Sequence, residues 1–224
     1  MASEKSFIGN IFHKNGRALG SMGYFALLML VFLIGAPEAW MRPNLHQSVF
    51  VMIPTLIFLV IPLVFLVASG EIDLSFASTY ALAAYVFALM VKGGVDPALA
   101  ILAGVISGGI VGALVGALIV VFRLSSLVAS LGVLFLLRGL ILVLTNSRSI
   151  TMMEELEGHW VYSLLVGNFY GIPMQVFWAL LFVIFCYYLF SKHKFGIHIH
   201  HVGDNYVSAE QMGINVKAVK IKAF

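Results

Sequence analysis

Six long apolar runs are the feature that most constrains what this chain can fold into. The runs cover Ala18–Pro37, Val49–Ser69, Leu74–Val91, Ala98–Phe122, Leu124–Thr145 and Gly171–Phe190. A helix needs about 20 apolar residues to cross a hydrocarbon core of roughly 30 Å, because each residue adds about 1.5 Å. Of the 224 residues 61% are hydrophobic and 10% are charged, an apolar share that a water-soluble core cannot bury. The sequence therefore predicts an all-α fold, a polytopic bundle of about six transmembrane helices.

The basic residues predict how these spans are oriented. If the N-terminus is cytoplasmic, most of the 13 Lys and Arg residues fall on the cytoplasmic side, as the positive-inside rule requires. We therefore expect a cytoplasmic N-terminus over residues 1–17, a transmembrane domain over residues 18–190, and a cytoplasmic loop over residues 191–224 that leads to a further span. The basic residues form no block, so the charge of +3 indicates no nucleic-acid surface. The apolar runs predict contact with membrane lipid.

Two carboxylates interrupt the apolar sequence between the second and third runs. Glu71 and Asp73 lie at or near membrane depth, where a charge costs several kcal/mol unless it is paired, hydrated or placed at a helix end. Asp73 or Ser75 is expected to cap the third span by accepting backbone N–H bonds. Glu71 follows Gly70, which indicates a helix break that lines a hydrated cavity. Capping and a direct role in a translocation pathway both remain open for these residues.

Glycines recur at every fourth position of the fourth run. Gly104, Gly108, Gly112 and Gly116 form this glycine ridge. Four-residue spacing places them near one face of a helix, where the absence of side chains lets a second helix approach closely. The ridge predicts a tightly packed central helix and says little about substrate.

Other polar residues carry weaker signals. Arg138 lies within the fifth run, where snorkelling towards the surface competes with a pairing or pathway role. The acidic loop Asn146–Tyr170 is predicted to face outward, as a solvated loop or as a surface for an external partner. His198, His200 and His201 are interpreted as a solvated basic loop, because the pattern lacks the three or four convergent ligands of a metal site. We expect no catalytic residue, metal or cofactor.

The residues after the sixth run predict a surface helix. Asn205 offers an N-cap and Gly213 a C-terminal stop, which together indicate a short helix over Asn205–Met212. Such a helix between spans suits a soluble partner, and a plain connecting loop is the alternative. No G-x-x-x-x-G-K-[ST] pattern occurs in the 224 residues, so ATP binding through a P-loop would belong to another subunit.

Three stretches together resemble the permease subunits of bacterial ABC importers for monosaccharides, the ribose-type permease family. Residues Gly70–Ser75 read GEIDLS and resemble the family's G-[GE]-I-D-L-S signature. Residues Leu127–Leu140 resemble its P-F-I-V-T-L-G…RG-L stretch, and Phe195–Val216 its F-G…A-I-G-G-N…A-A…S-G-I-N-V loop. The order and spacing of the three also match, although Ser125-Ser126 and Asp204 depart from the pattern. Family members continue with several more spans, so this chain resembles a C-terminally truncated member.

The resemblance implies a role and a set of partners. An external sugar-binding protein would deliver the sugar, two permease chains would enclose the path in the bacterial inner membrane, and ATPase subunits would drive opening. The segment Gly203–Ile214, hereafter segment 203–214, would dock on the ATPase. Its members of interest are Gly203, Asp204, Asn205, Glu210, Gly213 and Ile214. Glu71, Asp73 and Ser75 would shape the pathway or its cytoplasmic end.

Two other functions are compatible with the sequence. A permease of the related branched-chain amino-acid importers would share the architecture, but Ile72–Ser75 favours the sugar branch. A secondary transporter would use Glu71 or Asp73 as a proton carrier, and dependence of uptake on an ion gradient would distinguish it. An intramembrane enzyme lacks a credible pair of catalytic residues within the spans.

Overall fold

The computed structural model describes the backbone of residues 2–224 and the side chains of residue 16 and residues 19–224. Six of its helices carry the apolar runs: α1 (Ala2–Gly35), α3 (Pro43–Ala68), α4 (Phe76–Lys92), α5 (Pro97–Phe122), α6 (Ser126–Leu144) and α9 (Met174–Ser191). The shorter elements are α2 (Pro37–Trp40), α7 (Met153–Leu156), α8 (Trp160–Leu165), the antiparallel strands β1 (Asn168–Phe169) and β2 (Ile172–Pro173), α10 (Lys194–Asp204), α11 (Tyr206–Gln211) and α12 (Val216–Ala223).

The prediction of an all-α polytopic bundle is confirmed. In the described part of the chain, α3, α5, α6 and α9 are long and apolar enough to cross a membrane. The other two predicted spans are also apolar helices but are shorter: Leu19–Gly35 within α1, and α4 with 17 residues. Large apolar side chains are exposed along these helices, as expected where lipid replaces water.

The chain divides into two compact units, Met1–Val49 and Phe50–Phe224. In the first unit, the Nε2 atom of His46 lies 2.8 Å from the carbonyl oxygen of Trp40, and the two rings meet edge to face at a centroid distance of 5.4 Å. The second unit contains two apolar cores and all of the candidate site residues.

The first core of the second unit joins α3, α9 and the C-terminal helices. Phe65 of α3, Cys186 of α9, Ile199 of α10 and Val219 of α12 belong to it. The second core lies between α5 and α6, where Val115 packs with its neighbours. Because α10, α11 and α12 all contribute to the first core, residues 194–223 fold back against the ends of α3 and α9.

The interpretation of the three histidines as part of a loop is wrong. They lie on α10, which begins after the N-cap His193 and ends at Asp204. Phe195, Ile199 and Val202 recur at helical spacing and turn towards the first core, with Ile199 fully buried, while His200 and His201 are exposed. The polar residues between the apolar ones hid this period from the sequence interpretation.

The glycine ridge of α5 serves two neighbours. A Cβ atom on Gly104 would lie 3.0 Å from the carbonyl oxygen of Ala83 in α4, and the next ridge glycine also faces α4. A Cβ atom on Gly116 would lie 3.0 Å from the Cα atom of Ile221 in α12, and Gly112 also faces the end of that helix. The structure differs from the single face expected, because each four-residue step turns about 40° beyond a full turn.

Candidate functional site

The helix break between α3 and α4 is built by a glycine. Gly70 has a φ angle of +82°, in the left-handed region that favours glycine. The N–H groups of Gly70 and Glu71 donate to the carbonyl oxygens of Val67 and Leu66, at 3.1 Å each. This pair of bonds is the Schellman arrangement that ends a helix. The chain then runs from residue 69 to residue 75 outside regular helix, and Glu71 lies in this stretch.

Asp73 organises the start of α4. Its Oδ1 atom accepts hydrogen bonds from the backbone N–H and the hydroxyl of Ser75, at 2.7 and 2.6 Å. The carbonyl oxygen of Ser75, the N-cap residue, accepts the backbone N–H of Thr79 at 2.9 Å. Asp73 therefore orders the turn that precedes α4, because the N–H group it accepts belongs to the N-cap residue Ser75 and not to the first helical turn.

Glu71 forms a buried ion pair with Lys220. The Nζ atom of Lys220 donates to Oε1 of Glu71 at 2.5 Å, although 149 residues separate the two in sequence. The side chains are 9% and 23% exposed for Glu71 and Lys220 respectively. The cation that a buried carboxylate requires is thus supplied by α12.

A cavity of about 470 Å³ adjoins this ion pair. It lies between the α5–α6 turn, the helix break and the C-terminal helices. Its polar lining residues are Glu71, Arg123, Ser125, Ser126, Tyr206, Lys217 and Lys220. The hydroxyl of Ser126 also accepts the backbone N–H of Ile72 at 3.3 Å, so the break is held against the start of α6. With its carboxylate, hydroxyl and basic groups, the cavity can hold water and hydrogen-bonding solutes.

Segment 203–214 lies beside the helix break. Gly203 approaches α3 so closely that a Cβ atom would collide with the carbonyl oxygen of Ala68. The predicted surface helix is confirmed as α11, with Oδ1 of Asn205 accepting the backbone N–H of Ser208 at 3.0 Å. Gly213, at a φ angle of +80°, ends it, and the N–H of Ile214 donates to the carbonyl oxygen of Ala209.

Within this segment, burial separates the anchoring residues from the accessible ones. Ala209 is fully buried, whereas Asp204, Glu210 and Gly213 are exposed and Ile214 is half-buried. The segment is therefore anchored on one side and presents polar groups on the other. Gly203 is brought together with the Glu71 region; Asp204 and Glu210 face solvent away from the first core.

The opposite end of α4 carries a second group of charges. The Nζ atom of Lys92 donates to Oε1 of Glu155 at 2.5 Å, and Nε2 of His159 lies 3.6 Å from Oδ2 of Asp96. The hydrogen bond from Lys92 lowers the pKa of Glu155 below its ordinary value. These contacts tie the loop Asn146–Tyr170 to the α4–α5 turn. We call this group the Lys92 end, and the region of the buried pair the Glu71 end.

Sequence reasoning missed Lys220 and Arg123 as residues of the site. Lys220 belongs to α12, and nothing in its local sequence indicates a partner near residue 71. Arg123 ends α5 in a left-handed conformation, with a φ angle of +57°. One signal for Lys220 existed, since a carboxylate near membrane depth demands a cation. Arg138, in contrast, is exposed on α6 away from the cavity.

Comparison with known proteins identifies the family. The model of the branched-chain amino acid transport system / permease component family matches residues 46–224. The chain belongs to this permease family. The chain is also a multi-pass membrane protein, in agreement with its apolar helices. Sequence reasoning had reached the ribose-type permeases from three short stretches, and the match extends over the whole second unit.

Some relatives of this chain are permeases named for a sugar. The chain is 35% identical to a probable ABC transporter permease of Escherichia coli, over 92% of this chain and 60% of the relative. It is 35% identical to the ribose import permease of Bacillus subtilis, over 71% of this chain and 49% of the relative. It is 27% identical to the L-arabinose ABC transporter permease of Azospirillum brasilense, over 92% of this chain and 59% of the relative. The chain thus spans about half to three fifths of these relatives' length, and no solved structure matches it.

Proposed function

We propose that this chain is the membrane-spanning permease subunit of an ATP-driven importer that translocates a sugar of monosaccharide size. The observation that carries the proposal is the similarity to permeases named for ribose and L-arabinose import. The family description names branched-chain amino acids instead. The GEIDLS sequence at Gly70–Ser75 favours the sugar branch, and an amino-acid substrate is the alternative that the test must distinguish.

The partners of such a subunit are those that an ABC transporter needs beside its permease. ATP hydrolysis is assigned to a separate ATPase subunit, and the 224 residues themselves contain no P-loop. An external binding protein would deliver the sugar, and a second permease chain would complete the path. Segment 203–214 is the proposed docking site for the ATPase, because it is anchored through Ala209 and exposes Asp204 and Glu210.

The cavity at the Glu71 end is the proposed cytoplasmic end of the pathway. Its lining includes the hydroxyls of Ser125, Ser126 and Tyr206 and the basic groups of Arg123 and Lys217, which are groups that hydrogen-bond a sugar's hydroxyls. Its volume of about 470 Å³ lies within the range of small-molecule sites. The ion pair of Glu71 with Lys220 leaves neither group isolated in an apolar surrounding.

The test combines purification with transport. We expect the chain, purified from native membranes, to bring with it an ATPase subunit and a sugar-binding protein identified by mass spectrometry. Reconstituted in proteoliposomes, the assembly should take up a labelled monosaccharide only when ATP is present on the ATPase side. Competition with unlabelled leucine should leave this uptake unchanged.

Other results would contradict the proposal. Uptake of leucine in place of sugar would assign the chain to the amino-acid importers. Sugar uptake that follows a proton gradient without ATP would assign it to secondary transporters that use Glu71 or Asp73. As a check on docking, Glu210→Arg should weaken ATPase binding in the assembly, whereas Glu154→Arg in the loop at the Lys92 end should leave it unchanged.

A further inference from the structure

The buried pair of Glu71 and Lys220 connects the helix break to the end of segment 203–214. Only Asn215 separates that segment from α12, and its Oδ1 atom accepts the backbone N–H of Ala218 at 3.0 Å. Lys220 follows on the second turn of α12. The side chain that neutralises Glu71 is therefore carried by the helix into which the segment leads directly.

The start of the segment also contacts the helix break. Gly203, its first residue, packs against the carbonyl oxygen of Ala68 at the end of α3. The two contacts differ in kind, because one excludes any side chain and the other is a charged hydrogen bond in a buried setting. A displacement of the segment would therefore act on the helix break at two places, through Gly203 at residue 68 and through Lys220 at residue 71. Separating the pair would leave the buried carboxylate of Glu71 without its cation.

The break passes such a displacement to the bundle. Asp73 holds Ser75 at the start of α4, and α4 in turn packs against the first half of the glycine ridge through Ala83. With backbones this close, α4 cannot move without α5 unless side chains are rearranged. The cavity between the break and the α5–α6 turn would change its shape as a consequence.

We propose that Glu71 and Lys220 are positioning residues that transmit movement of segment 203–214 to the helix break, and so couple ATP hydrolysis to opening of the cavity. The inference rests on the proposed function, since it needs an ATPase on the segment. It assigns to the pair a role in transmission, separate from any contact with sugar. The substrate affinity of the assembly should not depend on the pair.

The experiment measures two rates on one preparation. The assembly is reconstituted with its ATPase and binding protein, and the initial rates of sugar uptake and of ATP hydrolysis are recorded. The variants are Glu71→Gln, Lys220→Met and the exchange of both charges, Glu71→Lys with Lys220→Glu. Lys222→Met is the matched control, because Lys222 is an exposed lysine of the same helix.

We expect each single variant to hydrolyse ATP within twofold of the wild type and to lose tenfold or more in sugar taken up per ATP hydrolysed. The exchange of charges should raise the sugar taken up per ATP at least threefold above the single variants. Lys222→Met should keep the wild-type ratio. The sugar concentration at half-maximal uptake should change by less than twofold in all variants. A structural role alone would not shift the ratio while leaving hydrolysis intact.

Three results would overturn the inference. An unchanged ratio in both single variants would show that the pair transmits nothing. Failure of all three pair variants to assemble with the ATPase, while the control assembles, would show that the pair is only a brace. A large change in half-maximal concentration would place the pair in sugar binding. Failure of the wild type itself to take up sugar with ATP would instead refute the proposed function.

Discussion

The two ends of α4 carry ion pairs of the same length in different surroundings. At the Glu71 end the N–O distance is 2.5 Å, and the Glu and Lys side chains are 9% and 23% exposed. At the Lys92 end the distance is again 2.5 Å, but Glu155 and Lys92 are 29% and 42% exposed. Exposed pairs are screened by water and contribute little, whereas breaking a buried pair leaves an unpaired charge in a poorly hydrated place. Distance alone therefore does not show which pair matters.

The two ends differ in backbone packing as well. Around Glu71, helices meet with no room for a methyl group, as at Gly203. Around Lys92, Gly94 and Gly158 have open space and serve turns with positive φ angles. Two helices are thus in direct backbone contact at the Glu71 end, whereas exposed charges hold a surface loop at the Lys92 end. About 25 Å of helix separates the two ends.

The largest effect is expected from truncating the buried acid. Glu71→Ala leaves Lys220 without its partner, and we expect a loss of about 3 kcal/mol in the free energy of unfolding, the lower end for buried pairs because Lys220 is partly exposed. Unfolding of the chain in detergent micelles by added denaturant measures it. Glu155→Ala is the matched control and should change the midpoint far less. Equal losses of unfolding free energy in the two variants would show that burial does not distinguish the two ion pairs.

A smaller effect is expected from filling the close contact. Gly203→Ala places a methyl group against the carbonyl oxygen of Ala68, which forces the backbones apart at a cost of about 1–3 kcal/mol. The same unfolding measurement applies. Gly109→Ala is the control, because a Cβ atom there meets nothing within 4 Å. A Gly203→Ala variant as stable as that control would contradict the packing described here.

Sequence patterns predicted the features whose causes are local. The fourth apolar run, Ala98–Phe122, differs by one residue from α5, Pro97–Phe122, because a proline and an N-cap mark its start. Asn205 and Gly213 likewise bound α11, as their types predict. Asp73 was expected to organise the start of α4, and it acts on a residue two positions away.

What sequence patterns could not predict depends on distant partners. The pairing of Glu71 with Lys220 spans 149 positions, and no periodicity relates them. The division of the glycine ridge between α4 and α12 also depends on where those helices lie. The helix α10 was missed for another reason, since its histidines concealed the apolar spacing of Phe195, Ile199 and Val202.

The smallest effect is expected from acid at the Lys92 end. The hydrogen bond from Lys92 lowers the pKa of Glu155 in the folded chain below its ordinary value of 4.5. The contact therefore stabilises the loop fully at pH values above 4.5. This stabilisation is lost as the pH falls below 4.5 through the lowered pKa, when the carboxyl takes up its proton. Fluorescence of Trp160, in a chain with Trp40 and Trp178 replaced by Phe, should report a change in this window. Glu155→Gln should abolish the transition, and its persistence in that variant would assign it to another group.

Crosslinking tests directly which end of the bundle contacts the ATPase. In an assembly whose buried Cys186 is replaced by Ala, single cysteines are introduced as Glu210→Cys in segment 203–214 and Trp160→Cys at the Lys92 end. A short bifunctional thiol reagent is then added and the adducts are identified by mass spectrometry. We expect an adduct between residue 210 and the ATPase and none from residue 160. An adduct from residue 160 alone would contradict both the orientation and the role of the segment.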